Sequence, residues 1–161
     1  MCSSDLVIRL EAPLGSMAEA ASGEHLPIQL TGTYHGQPTA NRLVVSGYIP
    51  EVGDTPMLLL LDSGANSLTL FQDSRGPNSN QQETVQTGNF DRWVSLSAAT
   101  RTVRFLRLGG NSVSNLTMIT LARGAGVDTD GFVPTSLFHS IFISHRGKFA
   151  ILNPSFPMAS R

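Results

Sequence analysis

Short runs of apolar and β-branched residues, separated by clusters of glycine, proline and asparagine, set the pattern of this 161-residue chain. Runs of this kind, ended by turn residues at short spacing, are typical of an all-β domain. The predicted strands are Val7–Leu10, Pro27–Thr33, Arg42–Ile49, Met57–Asp62, Ser67–Phe71, Arg92–Leu96, Val103–Leu108, Leu116–Ala122 and Lys148–Leu152.

Two segments depart from the strand pattern. The stretch Gln72–Asn89 is polar and rich in turn residues, so we expect a long loop there. Near the C-terminus, Val133–His145 is the one segment with helical character. Pro134 suits the first position of a helix, and apolar residues at 137, 138 and 141 share a face. We therefore expect one short C-terminal helix.

The run of four leucines before Asp62 indicates a strand that is buried on nearly both faces. A carboxylate at the end of such a strand must be paired, hydrogen-bonded or neutralised, because an isolated buried charge is prohibitively costly. The next residues, Ser63, Gly64 and Ala65, are small and predict a tight turn, in which glycine allows a second backbone or a ligand to approach closely. Taken alone, Asp-Ser-Gly is more typical of an ordinary turn cap than of a functional site.

Charge and composition exclude several classes of function. A net charge of −1 gives no indication of a nucleic-acid partner or an anionic membrane surface. Only 14% of the residues are charged, which favours a periplasmic or secreted location. The single cysteine, Cys2, leaves no disulfide within the chain and no cysteine-based zinc site. No apolar run has the length of a membrane span.

No metal or cofactor is expected from the remaining polar residues. The four histidines are dispersed along the chain without the spacing of metal ligands. Asp128 and Asp130 lie near Gly131, and we interpret them as part of a turn, because a calcium loop requires more oxygen ligands.

Two segments together resemble a known family. The first, LLLLDSGANSLTLF (Leu58–Phe71), resembles the catalytic motif of the retropepsin-like aspartic proteases, the retroviral-type clan AA enzymes, in their bacterial form. The second, DGFVPTSLFHSIFISHRGKFAILNP (Asp130–Pro154), resembles that family's later Asp-Gly-apolar-apolar-Gly motif, which precedes a helix and a final hairpin. Gly131, Phe132 and Val133 match the later motif, whereas Pro134 stands where many members have the glycine that packs beside the catalytic loop. The resemblance covers residues 26 to 154.

The resemblance implies a closed β-barrel of the acid-protease fold over residues 25–156. Residues 1–24 would be a remnant or linker, with a start, MCSSDL, that resembles a translated sequencing adapter, and residues 157–161 would be a tail.

The resemblance also implies an aspartic endopeptidase without cofactors, in which Asp62 is one of two catalytic carboxylates. Two carboxylates held about 3 Å apart share one proton, since both cannot ionise. The ionised one activates a water and the protonated one polarises the scissile carbonyl of a peptide or protein substrate.

The chain has one such motif, so the second carboxylate must come from elsewhere. Either two copies form a homodimer with Asp62 facing Asp62 across a two-fold axis, or a missing N-terminal lobe supplies the other half of a pseudo-dimer. The family also has a flap that closes over the peptide, and the best match is Val85–Ser97. In this segment Gly88-Asn89 is a turn signal, and Phe90 and Trp93 would cover the substrate, although a core position suits Trp93 slightly better.

Two other interpretations remain open at this stage. The chain could be a peptide-binding domain that kept the fold and lost catalysis. It could also be an ordinary β-sandwich in which Asp-Ser-Gly is accidental, although the match of the C-terminal segment would then be accidental as well.

Overall fold

The computed structural model describes residues 21–34, 36–72, 82–89 and 92–154, which form ten β-strands and one 3₁₀ helix. The strands are β1 (Leu26–Tyr34), β2 (Gln37–Gly47), β3 (Met57–Asp62), β4 (Leu68–Gln72), β5 (Gln82–Asn89), β6 (Arg92–Leu108), β7 (Asn111–Ala122), β8 (Gly131–Pro134), β9 (Ile141–Ser144) and β10 (Phe149–Leu152). The 3₁₀ helix is Thr135–Leu137. The prediction of an all-β domain is confirmed.

All ten strands belong to one mixed sheet, in the order β5-β6-β7-β4-β8-β3-β2-β1-β10-β9. The pairs β3–β8 and β4–β7 are parallel, and the other neighbouring pairs are antiparallel. Strand β8 is inserted between β3 and β4, which are consecutive in the chain. The strand that ends at Asp62 therefore has β8 on one side and β2 on the other.

The core covers one face of β3 and not both. Leu59 and Leu61 are buried, Leu60 is half-buried, and Leu58 is 36% exposed. This alternation is that of a strand with one face against the core, so the prediction of burial on nearly both faces is wrong. The other buried members of the core cluster are Leu26, Ile28, Val45, Ile49, Leu68, Leu70, Val103, Leu106, Leu108, Leu116, Met118, Val133, Phe138, Ala150 and Leu152.

The sheet curls but does not close within the described residues, so the expected closed barrel is corrected to an open sheet with β5 and β9 as its edges. The curl brings Tyr48, just after β2, against β6, where its N–H and carbonyl each form a 2.9 Å hydrogen bond with Arg107. Gly47 permits this approach, because a Cβ there would collide with the side chains of Leu59 and Leu108. One bridged residue pair does not amount to closure, which requires a ladder joining the edge strands.

The loop between β2 and β3 is also tied to β6 by Glu51. Its Oε1 accepts hydrogen bonds from the backbone N–H and the Nε of Arg104, both at 3.0 Å. The bond from the backbone N–H is the main reason why the pKa of Glu51 lies below its usual value. This loop leads into β3, so the contact ties the segment before that strand to β6.

The expected helix over Val133–His145 is wrong in extent. Pro134 ends β8, a single 3₁₀ turn follows, and residues 141–144 form the edge strand β9 paired with β10. β-Branched Ile141 and Ile143 favour a strand, and both pack against the core cluster from this position. Among the described residues, no helix has the length and apolar character needed to cross a membrane.

Other predicted elements differ mainly in their bounds. The predicted strands over residues 92–96 and 103–108 are parts of one long strand, β6, and the predicted strand over 116–122 begins earlier, as β7. Gly109 and Gly110 form the two-residue turn between them, with the left-handed φ of +60° at Gly109 that glycine accommodates. The predicted loop Gln72–Asn89 is wrong over residues 82–89, which form β5, and the predicted strand Val7–Leu10 lies outside the described residues.

Candidate active site

Asp62 is the last residue of β3 and lies on the face of the strand opposite Leu59 and Leu61. Side chains alternate along a strand, so Asp62 shares its face with Leu58 and Leu60, away from the core cluster. Its carboxylate is half-buried. The carboxylate of Asp62 is therefore not buried in the core by the four leucines that precede it, because the strand presents alternate residues to the core and to the surface.

The turn after Asp62 orients its carboxylate. The backbone N–H of Gly64 donates a hydrogen bond to Asp62 Oδ1 at 2.8 Å, the local bond by which an aspartate closes a turn two residues ahead. A Cβ at position 64 would lie 3.3 Å from the same oxygen, which is a tight contact. Ser63 and Gly64 are exposed and Ala65 is half-buried. The small residues thus leave the carboxylate accessible and fix one of its oxygens.

The second motif lies directly beside this turn. Strand β8 runs parallel to β3, with Leu59 opposite Gly131 and Asp62 opposite Pro134. Pro134 is fully buried and has φ −60° and ψ 129°, a φ that proline adopts without strain. Proline, where the proteases that the motif resembles often have glycine, therefore fits the backbone beside Asp62.

Gly131 and Phe132 connect β8 to β4 on its other side. A Cβ at Gly131 would collide with the backbone carbonyl oxygen of Thr69, well inside the closest approach of real Cβ atoms. Phe132 packs against Phe71 of β4 with ring centroids 5.0 Å apart in an edge-on arrangement, which is favourable for aromatic pairs. Val133 is fully buried in the core. The two sequence motifs are therefore brought together by adjacent strands.

The segment between β7 and β8 holds two aspartates that the sequence interpretation left as a turn. Asp128 Oδ1 lies 2.5 Å from Arg42 Nη1, and its Oδ2 accepts a 2.6 Å hydrogen bond from Thr33 N. The bond from Thr33, followed by the Arg42 guanidinium, holds the pKa of Asp128 below its usual value. Asp130 pairs instead with Arg123, at 2.8 Å. Within the described ranges, no three or more His, Cys, Asp or Glu side chains converge as a metal site would require.

The candidate flap is a hairpin in the structure, although its turn differs from the one expected. Gly88 pairs with Trp93 and Asn89 with Arg92, so Gly88 and Asn89 lie within β5 and not at the turn. Phe90 lies outside the described residues. The role of this hairpin in covering a substrate stays a prediction.

Comparison with known proteins places this geometry in a fold. A solved structure with a similar chain is the crystal structure of a retropepsin-like aspartic protease from Rickettsia conorii, with a TM-score of 0.52, and the similarity covers 82% of this chain and 90% of that one. The chain has the retropepsin-like fold. The sequence identity is 14%, so the similarity concerns the fold. Scans against protein-family models and curated proteins found no match.

The retropepsin-like fold accounts for the proximity of the two motifs. The first motif ends at Phe71 and the second begins at Asp130, and only the insertion of β8 between β3 and β4 makes them neighbours. The sequence predicts Asp62, the turn after it and the second motif as parts of one site, and their role in a site stays a prediction. The pairing of Asp130 with Arg123 was not predicted, and the position of Asp130 at the head of the second motif was the one available signal for it.

Proposed function

We propose that the protein is an aspartic endopeptidase in which Asp62 supplies one of two catalytic carboxylates. The observation that carries the proposal is the position of Asp62: a half-buried, accessible carboxylate at the end of β3, oriented by the Gly64 N–H and adjacent to the second motif. Its occurrence in a retropepsin-like fold, whose solved relative is named as an aspartic protease, supports the proposal.

The proposed reaction requires a second carboxylate, and we propose that a second copy of the chain provides it. A two-fold axis places identical residues opposite one another, so two Asp62 side chains near the axis would share one proton, since two adjacent carboxylates cannot both ionise. The ionised carboxylate removes a proton from the attacking water, while the protonated one donates a hydrogen bond to the peptide carbonyl. The hydrogen bond from Gly64 would hold each carboxylate in one orientation during this exchange.

A peptide-library digest at acid and neutral pH tests the proposal. We expect the wild-type protein to cleave peptides, Asp62→Asn to lose cleavage while it stays folded, and Asp54→Asn to behave as wild type. Asp54 is an exposed aspartate in the loop before β3 and is therefore a matched control. Cleavage that persists in Asp62→Asn would refute the proposed role. A folded wild-type protein that binds peptides without cutting them would favour a peptide-binding domain.

Mixing the two proteins tests the origin of the second carboxylate. If two copies share the site, adding an equal amount of Asp62→Asn protein should lower wild-type activity to about half, because half of the wild-type subunits then lie in mixed dimers. If one chain carried a complete site, the added protein would leave the activity unchanged. The mixture should be incubated until subunits have exchanged, and adding Asp54→Asn instead is the control.

A further inference from the structure

Asp130 lies at a junction of three strands. Its backbone N–H donates to the carbonyl of Leu58 at 2.7 Å, and its Oδ2 accepts from the N–H of Leu58 at 2.8 Å. Its carbonyl accepts from Phe71 N, in β4, at 2.8 Å. One residue thus engages both backbone polar groups of Leu58, near the start of β3, and also holds β4.

These bonds set the register of the strands that form the site. With Leu58 bonded to Asp130, Leu59 lies opposite Gly131, and the parallel ladder continues to Asp62 opposite Pro134. A slip of one residue would turn Asp62 to the other face of the sheet, because side chains alternate. The anchor at one end of β3 therefore determines where the carboxylate at the other end is presented.

Arg123 completes this anchor. Its Nη2 donates to Asp130 Oδ1 at 2.8 Å, and its Nη1 donates to the carbonyl of Thr129 at 2.6 Å. Its backbone N–H donates to the carbonyl of Gln72, at the end of β4, at 2.9 Å. Charge-assisted hydrogen bonds are roughly twice as strong as neutral ones, so the guanidinium holds Asp130 in the orientation that reaches Leu58.

We infer that Asp130 and Arg123 are positioning residues for Asp62. They act through the register of β3 against β8, and they touch neither the substrate nor the reacting atoms. The expected effect of these residues on peptide cleavage rests on the proposed function. Their expected effect on the turn at Asp62, closed by the Gly64 hydrogen bond, does not.

The neighbouring ion pair supplies a matched control. Asp128 also accepts a backbone N–H with one oxygen and an arginine with the other, but its partners, Thr33 and Arg42, belong to the β1–β2 hairpin. Asp128→Asn therefore removes a similar set of charge-assisted bonds without releasing β3. A comparison of the Asp130→Asn and Asp128→Asn proteins therefore separates an effect on the position of Asp62 from a general loss of stability.

The experiment measures cleavage kinetics and the hydrogen-exchange rate of the Gly64 amide, which is bonded to Asp62 Oδ1. We expect Asp130→Asn to lower kcat by about tenfold with little change in KM, because a small misplacement of a reacting group is costly, and to accelerate Gly64 exchange by a similar factor. Asp128→Asn should leave both within about twofold of wild type. Arg123→Lys should retain most activity and Arg123→Gln should lose it, which provides a second test if Asp130→Asn does not fold.

Equal changes in the Asp130 and Asp128 variants would overturn the inference, and so would an Asp130→Asn protein with wild-type kcat and wild-type Gly64 exchange. If the wild-type protein cleaves no peptide, the proposed function fails, and the Gly64 exchange rates in the variants still decide the positioning role.

Discussion

Replacing Gly131 with alanine tests how tightly β8 is inserted between β3 and β4. The added methyl group would collide with the carbonyl oxygen of Thr69 and lie 2.9 Å from a methyl group of Leu70. The first contact is with backbone, so no side-chain rotation relieves it. Strands β8 and β4 would have to separate by about 1 Å to reach the closest approach of real Cβ atoms, and by about 1.4 Å to reach an ordinary contact.

The size of the effect follows from this displacement. A separation of this size would stretch the 2.8 Å hydrogen bond from Phe71 N to the Asp130 carbonyl beyond the usual range, at a net cost of about 1 kcal/mol. Overpacking a well-packed interior costs about 1–3 kcal/mol in addition. We therefore expect a loss of about 3 kcal/mol in the free energy of unfolding. For a chain of this length, that loss lowers the Tm by roughly 6–12 °C.

Urea and thermal denaturation measure this loss, with Gly53→Ala as the control. A Cβ at Gly53 would have no atom within 4 Å, so this variant should unfold within about 0.5 kcal/mol of wild type or be slightly more stable. The opposite result would be that Gly131→Ala has the same urea midpoint as Gly53→Ala and the same slope of unfolding free energy against urea concentration. Such a result would mean that β8 is not confined between β3 and β4.

Two further predictions concern stability. Leu59→Ala should lower the free energy of unfolding by about 2–5 kcal/mol because Leu59 is fully buried. Leu58→Ala should lower it far less, because Leu58 is exposed. Equal losses for the two variants in urea denaturation would contradict the burial of only one face of β3. The pKa of Asp128 is lowered in the folded state, so its contribution is present above the unfolded value of about 3.9 and is lost as pH falls through the folded pKa. The stability difference between wild type and Asp128→Asn should therefore disappear in strong acid, and a difference that persists there would refute this assignment.

Local patterns were sufficient where neighbouring residues decide the structure. The strand before Asp62 and the tight turn after it depend on residues adjacent in the chain, and both were predicted. The helix predicted over residues 133–145 shows the limit of such patterns. Short apolar runs fit helical and strand periods equally well, and pairing with β10, together with contact with the core, decided in favour of a strand.

The sequence by itself determined that the domain is built of strands and that Asp62 ends one of them in a tight turn of small residues. The reason is that strand propensity and turn chemistry act over a few bonds. Tertiary structure decided which face of β3 meets the core, that the sheet formed by the described strands stays open, and that Asp62 lies opposite Pro134. It also decided that Asp130 and Arg123, which a sequence pattern cannot pair, hold β3 in register. These features depend on contacts between residues far apart in the chain, which only the insertion of β8 between β3 and β4 brings together.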